Sequence, residues 1–249
     1  MVPGPSGSRG KRPLLVIGFD TATVDTVACA WRDGEVVHES QLGLSPQGRP
    51  RHATGLLEEV ERAAAAAGGW GEVDLLAVGL GPGTFTGIRV GIATARGLAV
   101  SLGLPVRGVC TLDALGRGIG EAAGGGSALA VLDGWRGEVF AALYDAEGRR
   151  LWDPAVYRPE ELAAQVASLD ETPLAAGSGA VRFRQELTRD GVRIADGSDP
   201  VHRVAARHLC ALAAAARTGE DESEELAPIY LRPPDAERWR ERDASQRAQ

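Results

Sequence analysis

The stretch GLGPGTFTGIRVGIATARGLA, residues 79–99, decides the fold, because it places a strand, a turn and a helix in direct succession. An apolar run over residues 75–80 predicts a buried strand that leads into it. The Gly-Pro-Gly turn at 81–83 ends that strand, since proline lacks the ladder donor and glycine tolerates positive φ at little cost. Apolar residues then recur at three- and four-residue spacing, which predicts a helix over residues 86–103 with Thr84 or Thr86 as its cap.

A stripe of small residues runs along this predicted helix and consists of Gly87, Gly91, Ala95 and Ala99. Glycine inside a helix costs about 1 kcal/mol relative to alanine, so the two glycines indicate close packing or a backbone contact. A nucleotide-binding loop is disfavoured, because G-x-G-x-x-x-G is one residue longer than the dinucleotide fingerprint and no Gly-Lys-Ser/Thr follows. The stripe therefore predicts that another backbone approaches the helix closely.

The length of the chain, 249 residues, is sufficient for two domains of ordinary size or one large one. Its formal net charge is −7 and its pI is about 5.2, which gives no overall basic field. Strong nucleic-acid binding by this chain alone is therefore disfavoured, and we expect any RNA to be held mainly by a partner.

Three cysteines, Cys29, Cys110 and Cys210, lie far apart in apolar stretches and form no C-x-x-C pair. They indicate small core residues in a reducing compartment. The basic residues near the N-terminus precede an apolar run that is too short for a signal peptide core or a membrane span. We therefore expect a cytoplasmic protein without membrane contact.

Strand and helix signals follow the order β-β-β-α-β-α-β-α, and a similar order starts again after residue 126. An Asp33-Gly34 pair between two strand signals predicts a tight hairpin turn. These patterns predict an α/β protein of two similar halves. The predicted division begins with a disordered lead (1–12), a first half (13–117) and a glycine-rich linker (118–126). A second half (127–200) follows, with a short helix at 181–188. The chain then continues with a C-terminal segment (201–234), whose helix at 201–217 packs back on the first half, and a disordered tail (235–249).

Two aspartates are candidates for chemistry, because Asp20 ends the first strand and Asp133 ends the equivalent strand of the second half. In two-domain phosphotransferases and ATPases of the actin, heat-shock 70 and sugar-kinase type, carboxylates at these places hold Mg²⁺, and hairpin amides hold phosphate. Here Thr21 follows the first aspartate without a glycine that would let the amides converge. The alternative, that each aspartate caps a turn, is favoured. Asp20, Thr21 and Asp133 remain vestigial cofactor-binding candidates, and no cofactor is predicted.

The four histidines do not form a metal-binding pattern. No H-x-x-x-H or H-E-x-x-H pair is present among His38, His52, His202 and His208, and the last two lie on different faces of a helix. No G-x-S-x-G elbow occurs either, and Ser178 lacks an evident base. The sequence therefore predicts neither a metal site nor catalytic residues.

Several motifs resemble one known family. They are LLVIGFDTAT, GLGPGTFTGIRVGIATARGLA, VLDGWRGEVFAALYD, AAGSGA and APIYLRP, and together they extend over residues 14–233. The chain is similar to the TsaB (YeaZ) family, a subunit of the bacterial machinery that makes threonylcarbamoyladenosine in tRNA. The resemblance implies two actin-like, ribonuclease-H-like halves, each a mixed sheet with flanking helices. Departures from the family pattern are Phe19 before Asp20 and Gly134-Trp135 before Arg136.

The resemblance also implies a function. TsaB is an inactive paralogue of the catalytic subunit TsaD, and it acts with TsaD and the ATPase TsaE to transfer threonylcarbamoyl to adenosine 37 of tRNA. The paired-histidine metal site of TsaD does not carry over, because only His52 stands in the corresponding helix. We therefore expect a non-catalytic partner subunit that contacts tRNA only through the complex. An ATP-dependent phosphotransferase of the actin/sugar-kinase superfamily is the first alternative, and a glycoprotease-like peptidase is a disfavoured second.

A partner surface is predicted on the two helices of the first half, because both are rich in alanine and glycine and are apolar on more than one side. The same surface could pair two copies of the chain into a symmetric dimer. The residues assigned to it are His52, Leu56, Val60, Ala64, Gly87, Gly91 and Ala95.

Overall fold

The computed structural model describes residues 12–216 and 226–232. Of the predicted lead, only Arg12 is described, and the acidic stretch before Leu226 and the predicted tail lie outside the described residues. Within the described ranges, no helix combines the length and apolar character that crossing a membrane requires.

The first sheet has five strands among the described residues, in chain order β1 (Leu15–Asp20), β2 (Thr26–Arg32), β3 (Glu35–Leu42), β4 (Leu75–Gly79) and β5 (Val106–Val109). Their order in the sheet is β3-β2-β1-β4-β5, with β1 antiparallel to β2 and parallel to β4. Because helices cover both faces of its centre, β1 is buried along its whole length and its sequence is almost continuously apolar. Asp33 and Gly34 both have positive φ and form the predicted tight turn between β2 and β3.

The second sheet repeats this topology. Its five described strands are β6 (Ala128–Asp133), β7 (Val139–Tyr144), β8 (Arg150–Tyr157), β9 (Leu174–Ala176) and β10 (Arg193–Ile194). They lie in the order β10-β9-β6-β7-β8, with β6 antiparallel to β7 and parallel to β9. The predicted α/β fold with two mixed sheets of matching topology is therefore confirmed.

Seven α-helices flank the sheets in the described part of the chain: α1 (His52–Ala66), α2 (Phe85–Leu102), α3 (Thr111–Ala122), α4 (Pro159–Ala167), α5 (Ser178–Arg182), α6 (Arg184–Arg189) and α7 (Ala206–Ala215). Helices α1 and α2 pack on one face of the first sheet, and α7 packs on the other. Helix α3 packs on the second sheet and also contacts α7. One apolar core thus continues from the first sheet through α7 and α3 to the second sheet.

The predicted linker at 118–126 is wrong in its first part, because α3 continues to Ala122. Two glycines of α3, Gly116 and Gly118, serve close packing. A Cβ at Gly116 would lie 2.4 Å from the Tyr144 ring, and one at Gly118 would lie 3.1 Å from Nε2 of His208. Helix α3 therefore fits between its neighbours because these positions carry no side chain.

Two helices that the sequence predicts after residue 126 also differ from the structure. The helix predicted at 201–217 begins only at Ala206, after a 3₁₀ turn over Pro200–His202 and an extended stretch. The His202 ring fixes this turn, since its Nδ1 accepts from Gly177 N at 3.1 Å and its Nε2 donates to Asp196 O at 2.8 Å. The short helix predicted at 181–188 is two helices, α5 and α6, which are separated at Phe183.

Candidate functional site

The Gly-Pro-Gly turn and the first turn of α2 lie directly on the turn that follows β1. Thr84 N donates to Ala22 O at 2.7 Å, and a Cβ at Gly83 would lie 2.1 Å from the same oxygen. A Cβ at Gly87 would lie 1.9 Å from Thr21 O. Thr21 Oγ1 also donates a hydrogen bond to the carbonyl of Gly87, 66 residues further along the chain. The backbone that approaches the small-residue stripe is therefore the chain's own turn after β1.

Helix α2 begins with the predicted threonine cap. Thr84 has extended φ and ψ, and its hydroxyl accepts from Gly87 N at 3.1 Å, while Thr86 lies inside the helix. The helix ends at Gly103, whose φ of 66° places it in the left-handed region. Both ends of α2 are therefore specified by local residues, and its position over β1 is fixed.

Asp20 is a buried structural carboxylate. Its Oδ1 accepts from Ala22 N at 2.5 Å, and its Oδ2 accepts from Thr111 Oγ1 at 2.7 Å. Burial raises the pKa of Asp20 to about 6, although the backbone N–H of Ala22 and the hydroxyl of Thr111 lower it in part. A Cβ at Gly79 would lie 1.9 Å from Oδ2. Both oxygens are thus occupied by the chain, and Asp20 joins β1 to the start of α3.

Asp133 ends β6 at the equivalent position but is only partly buried. Its Oδ1 accepts from Trp135 N at 2.9 Å, and its Oδ2 accepts from Arg182 Nη1 at 2.6 Å. Trp135 and Arg136 follow with φ of 57° and 56°, a region that non-glycine residues seldom occupy. Asp133 therefore holds an unusual turn as a cap and ion-pair partner.

A small cavity of about 90 Å³ separates the turns that follow β1 and β6. Ligand pockets usually measure roughly 300–1,000 Å³, so this space is too small for a nucleotide. Asp133 lines the cavity together with residues of both turns, whereas Asp20 and Thr21 are buried behind it. The structure therefore does not bring the three vestigial candidates together around a common site.

The residues that sequence reasoning assigned to a partner surface do not lie on the surface. All seven are buried within the chain: His52, Leu56, Val60, Ala64, Gly87, Gly91 and Ala95. Their apolar and small side chains face the first sheet and its turn, as Gly91 does where a Cβ would lie 2.7 Å from Thr21 Oγ1. The outward residues of α1 and α2 include Leu57 and Val100, which are 59% and 86% exposed.

His52 shows why a buried histidine need not be a ligand. Its Nδ1 lies 2.9 Å from Thr26 Oγ1, and burial lowers the pKa of its ring. Its Nε2 has no hydrogen-bond partner among the described residues. In the same part of the chain, no group of three histidine, cysteine, aspartate or glutamate side chains could hold a metal ion. Cys29, Cys110 and Cys210 are free and buried, which fits their predicted role as core residues.

A cavity of about 440 Å³ lies on the opposite side of the first sheet, between β3, α3 and α7. The arginines that line it form ion pairs, Arg207 with Glu39 at 2.7 Å and Arg203 with Asp25 at 3.2 Å. Glu39 also accepts from Arg207 N at 2.9 Å and thereby caps α7. These pairs hold α7 and the segment before it against the first sheet.

Sequence reasoning missed one exposed cluster, which lies between α2 and the C-terminal segment 226–232. The rings of Phe85 and Tyr230 stack with centroids 5.4 Å apart, and the Arg89 guanidinium lies 3.5 Å from the Phe85 centroid. Arg89 Nε also donates to Tyr230 Oη at 2.9 Å. The sequence signal for this cluster is the spacing of Phe85 and Arg89, which are four residues apart and therefore neighbours on one helical face.

Comparison with known proteins gives a consistent family. The family model described as TsaD, tRNA N6-adenosine threonylcarbamoyltransferase, matches residues 32–224. The tRNA threonylcarbamoyladenosine biosynthesis protein TsaB of Escherichia coli K12 is 30% identical over 228 residues, which cover 88% of this chain and 95% of that protein.

Solved structures agree. A Pseudomonas aeruginosa protein, described as similar to the peptidase YEAZ, superimposes with a TM-score of 0.72 at 29% identity and covers 89% of this chain and 100% of its own. A ROK hexokinase from Thermus thermophilus has a TM-score of 0.51 at 14% identity, covering 82% of this chain and 100% of its own. At that identity the hexokinase shows the shared fold alone.

Proposed function

Because the chain belongs to the TsaB (YeaZ) family, we propose that it is the non-catalytic partner subunit of the complex that transfers threonylcarbamoyl to N6 of adenosine 37 of tRNA. Its catalytic partner is a TsaD-like subunit, and a TsaE-like ATPase completes the complex. The chain contacts tRNA only within that complex, in keeping with its net charge of −7.

The single observation that carries the non-catalytic role is the occupied turn after β1. Phosphate-binding turns use free backbone N–H groups that converge on the anion. Here Ala22 N donates to Asp20, and Thr84 N donates to Ala22 O, so the turn is engaged by the chain itself. Asp20, the residue that would approach a nucleotide-bound metal, is buried beneath that turn.

Reconstitution tests this proposal. The reaction mixture contains the purified chain, the TsaD-type and TsaE-type subunits of the same organism, tRNA, Mg-ATP and the threonine-derived adenylate donor. The modified nucleoside is measured by mass spectrometry. We expect product only when this chain and the TsaD-type subunit are both present. Product formed by the TsaD-type subunit at the full rate without this chain would contradict the proposal.

Calorimetry of the isolated chain with Mg-ATP separates a partner subunit from a phosphotransferase. The cavity of about 90 Å³ between the two turns predicts no binding in the micromolar range. Micromolar binding that Asp133→Asn abolishes would favour the phosphotransferase instead.

A further inference from the structure

The cavity of about 440 Å³ between β3, α3 and α7 has the size of a ligand site. Ligand pockets usually measure roughly 300–1,000 Å³. Val27, Val201 and Val204 give this cavity an apolar wall, and all of its lining residues lie inside the continuous described range 12–216. An apolar wall with a few polar groups is the usual lining of a small-molecule site.

The two arginines of the cavity are already neutralised by carboxylates. Arg207 donates to both oxygens of Glu39, from its Nη1 at 2.7 Å and from its backbone N at 2.9 Å. Arg203 Nε lies 3.2 Å from Asp25 Oδ2, and its Nη2 donates to Oδ1 at 3.4 Å. An anionic ligand would have to compete with these carboxylates, so the arginines do not make the cavity an anion site.

Two other carboxylates on the cavity wall are only partly used by the chain. Within the described residues, Glu121 accepts no hydrogen bond, and its ion pair with Arg117 measures 3.4 Å. Asp199 accepts one hydrogen bond among the same residues, at Oδ1 from Val201 N at 2.9 Å. Both carboxylates therefore keep acceptor capacity for a ligand.

Two further polar groups on the cavity wall are buried without a hydrogen bond. His208 is 4% exposed, and the polar contact of its ring in the described range is Nδ1 to Glu121 Oε1 at 3.6 Å, beyond hydrogen-bond distance. The hydroxyl of Ser40 is buried and has no partner among the described residues. An unpaired buried polar group costs roughly 1–3 kcal/mol, so a ligand that pairs with these groups recovers that cost.

The His208 ring is neutral near pH 7, because burial lowers its pKa to about 4 and the charges of Arg207 and Arg117 contribute to the shift. A neutral imidazole has one nitrogen that accepts a hydrogen bond. The unused polar groups of the cavity are therefore mainly acceptors.

These acceptors do not converge on one point as metal ligands do. Over residues 12–216 and 226–232, no group of three histidine, cysteine, aspartate or glutamate side chains could hold a metal ion. We infer that the cavity binds a short aliphatic diamine, whose ammonium groups donate to Glu121, Asp199 and His208 while its methylene chain packs on the valine wall. An ammonium group matches this set because it carries three donors, a positive charge and no acceptor.

Calorimetry with three probes that share a four-carbon chain tests the inference on the full-length protein in an amine-free buffer. The probe 1,4-diaminobutane carries two ammonium groups, 1,4-butanediol carries two hydroxyl groups, and succinate carries two carboxylates. We expect diaminobutane to bind with a Kd of about 1 mM or below, and the other two probes to bind at least roughly tenfold more weakly. Diaminobutane should also raise the midpoint of thermal unfolding, because it binds the folded chain.

Two variants locate the binding. Glu121→Gln removes one carboxylate from the cavity, and Ser40→Ala removes the hydroxyl that has no partner in the described chain. We expect the first to weaken diaminobutane binding roughly tenfold and the second to weaken it roughly threefold. Glu147→Gln is the matched control, because Glu147 is a similarly exposed glutamate that pairs with Arg149 at 3.1 Å, between β7 and β8. Circular dichroism confirms that each variant is folded.

Several outcomes would overturn the inference. Neither heat nor a shift in thermal unfolding with diaminobutane at about 10 mM would show that the cavity does not take an amine. Equal binding of butanediol would show that the acceptors do not recognise the ammonium groups, and tighter binding of succinate would show that the arginines govern the cavity. Binding of diaminobutane to both cavity variants at wild-type strength would place its site elsewhere. An equal loss in Glu147→Gln would show a general charge effect.

Discussion

The carboxylate of Asp20 is buried, and its pKa is raised to about 6. The ordinary pKa of an aspartate is about 3.9, so between about pH 4 and pH 6 the folded chain binds a proton that the unfolded chain has released. The contribution of this group to the free energy of unfolding is therefore greatest below pH 4 and decreases as the pH rises to 6.

We expect Asp20→Asn to remove this pH dependence. Relative to wild type, the variant should gain up to roughly 3 kcal/mol in the free energy of unfolding between pH 4 and pH 7. Urea unfolding of both proteins at the two pH values measures the difference, and every other titrating group cancels in it. Parallel stability curves for the two proteins would show that Asp20 does not titrate in this range.

Gly87 and Gly97 lie in the same helix but in opposite environments. A Cβ at Gly87 would lie 1.9 Å from Thr21 O, whereas nothing lies within 4 Å of a Cβ at Gly97. We expect Gly87→Ala to destabilise the protein by about 1–3 kcal/mol through overpacking, and Gly97→Ala to stabilise it by up to about 1 kcal/mol through helix propensity. Thermal and urea unfolding measure both values. A stabilising Gly87→Ala would mean that α2 does not rest on the β1–β2 turn.

At the scale of elements, Asp113 connects α3 to the second sheet. Its Oδ1 accepts from Tyr144 Oη at 2.9 Å and from Arg150 Nε at 2.7 Å, and its Oδ2 accepts from Arg150 Nη2 at 2.5 Å. We expect Asp113→Ala to lower the free energy of unfolding by about 2 kcal/mol, mainly because the nearly buried Tyr144 hydroxyl loses its partner. The ion pair adds less, since Arg150 is 39% exposed.

Asp153→Ala is the matched control for this prediction. Asp153 also faces Arg150, at 3.7 Å, but its side chain is 91% exposed. We expect its replacement to change the free energy of unfolding by less than about 0.5 kcal/mol. Equal effects of the two substitutions in urea unfolding would show that Asp113 acts only as a surface charge.

The sequence predicts those elements whose ends and periodicity depend on neighbouring residues. It does not predict those whose packing depends on residues far along the chain. The strand, cap and helix around residues 79–99 follow from an apolar run, a Gly-Pro-Gly turn and helical spacing, all within one stretch. The sequence predicts a linker from Gly118 onward because His208, the side chain that packs on this glycine, lies far along the chain. For the same reason the stripe on α2 predicts that a backbone lies close to it, but does not identify that backbone as the turn after β1. The buried residues of α1 and α2 therefore resemble a partner surface in the sequence.

At the scale of the whole molecule, the two halves exchange helices. Helix α3 follows the first sheet in sequence but packs on the second, and α7 follows the second sheet but packs on the first. The C-terminal segment also joins the halves, since Ile229 N donates to Leu80 O at 2.8 Å and Arg232 Nη1 donates to Gly134 O at 3.1 Å. Separate sheets therefore share one continuous core, although the sequence predicted two halves joined by a linker.

This shared core predicts that both halves unfold together. Leu209 on α7 is fully buried against the first sheet within that core. We expect Leu209→Ala to lower the free energy of unfolding by about 2–5 kcal/mol. The effect should reach both sheets equally, because loss of α7 also exposes the apolar side of α3. Hydrogen exchange with mass spectrometry in increasing urea follows β2 and β7 separately, and their transitions should shift by the same amount. If only the β2 transition shifted, the halves would be independent units in spite of their common core.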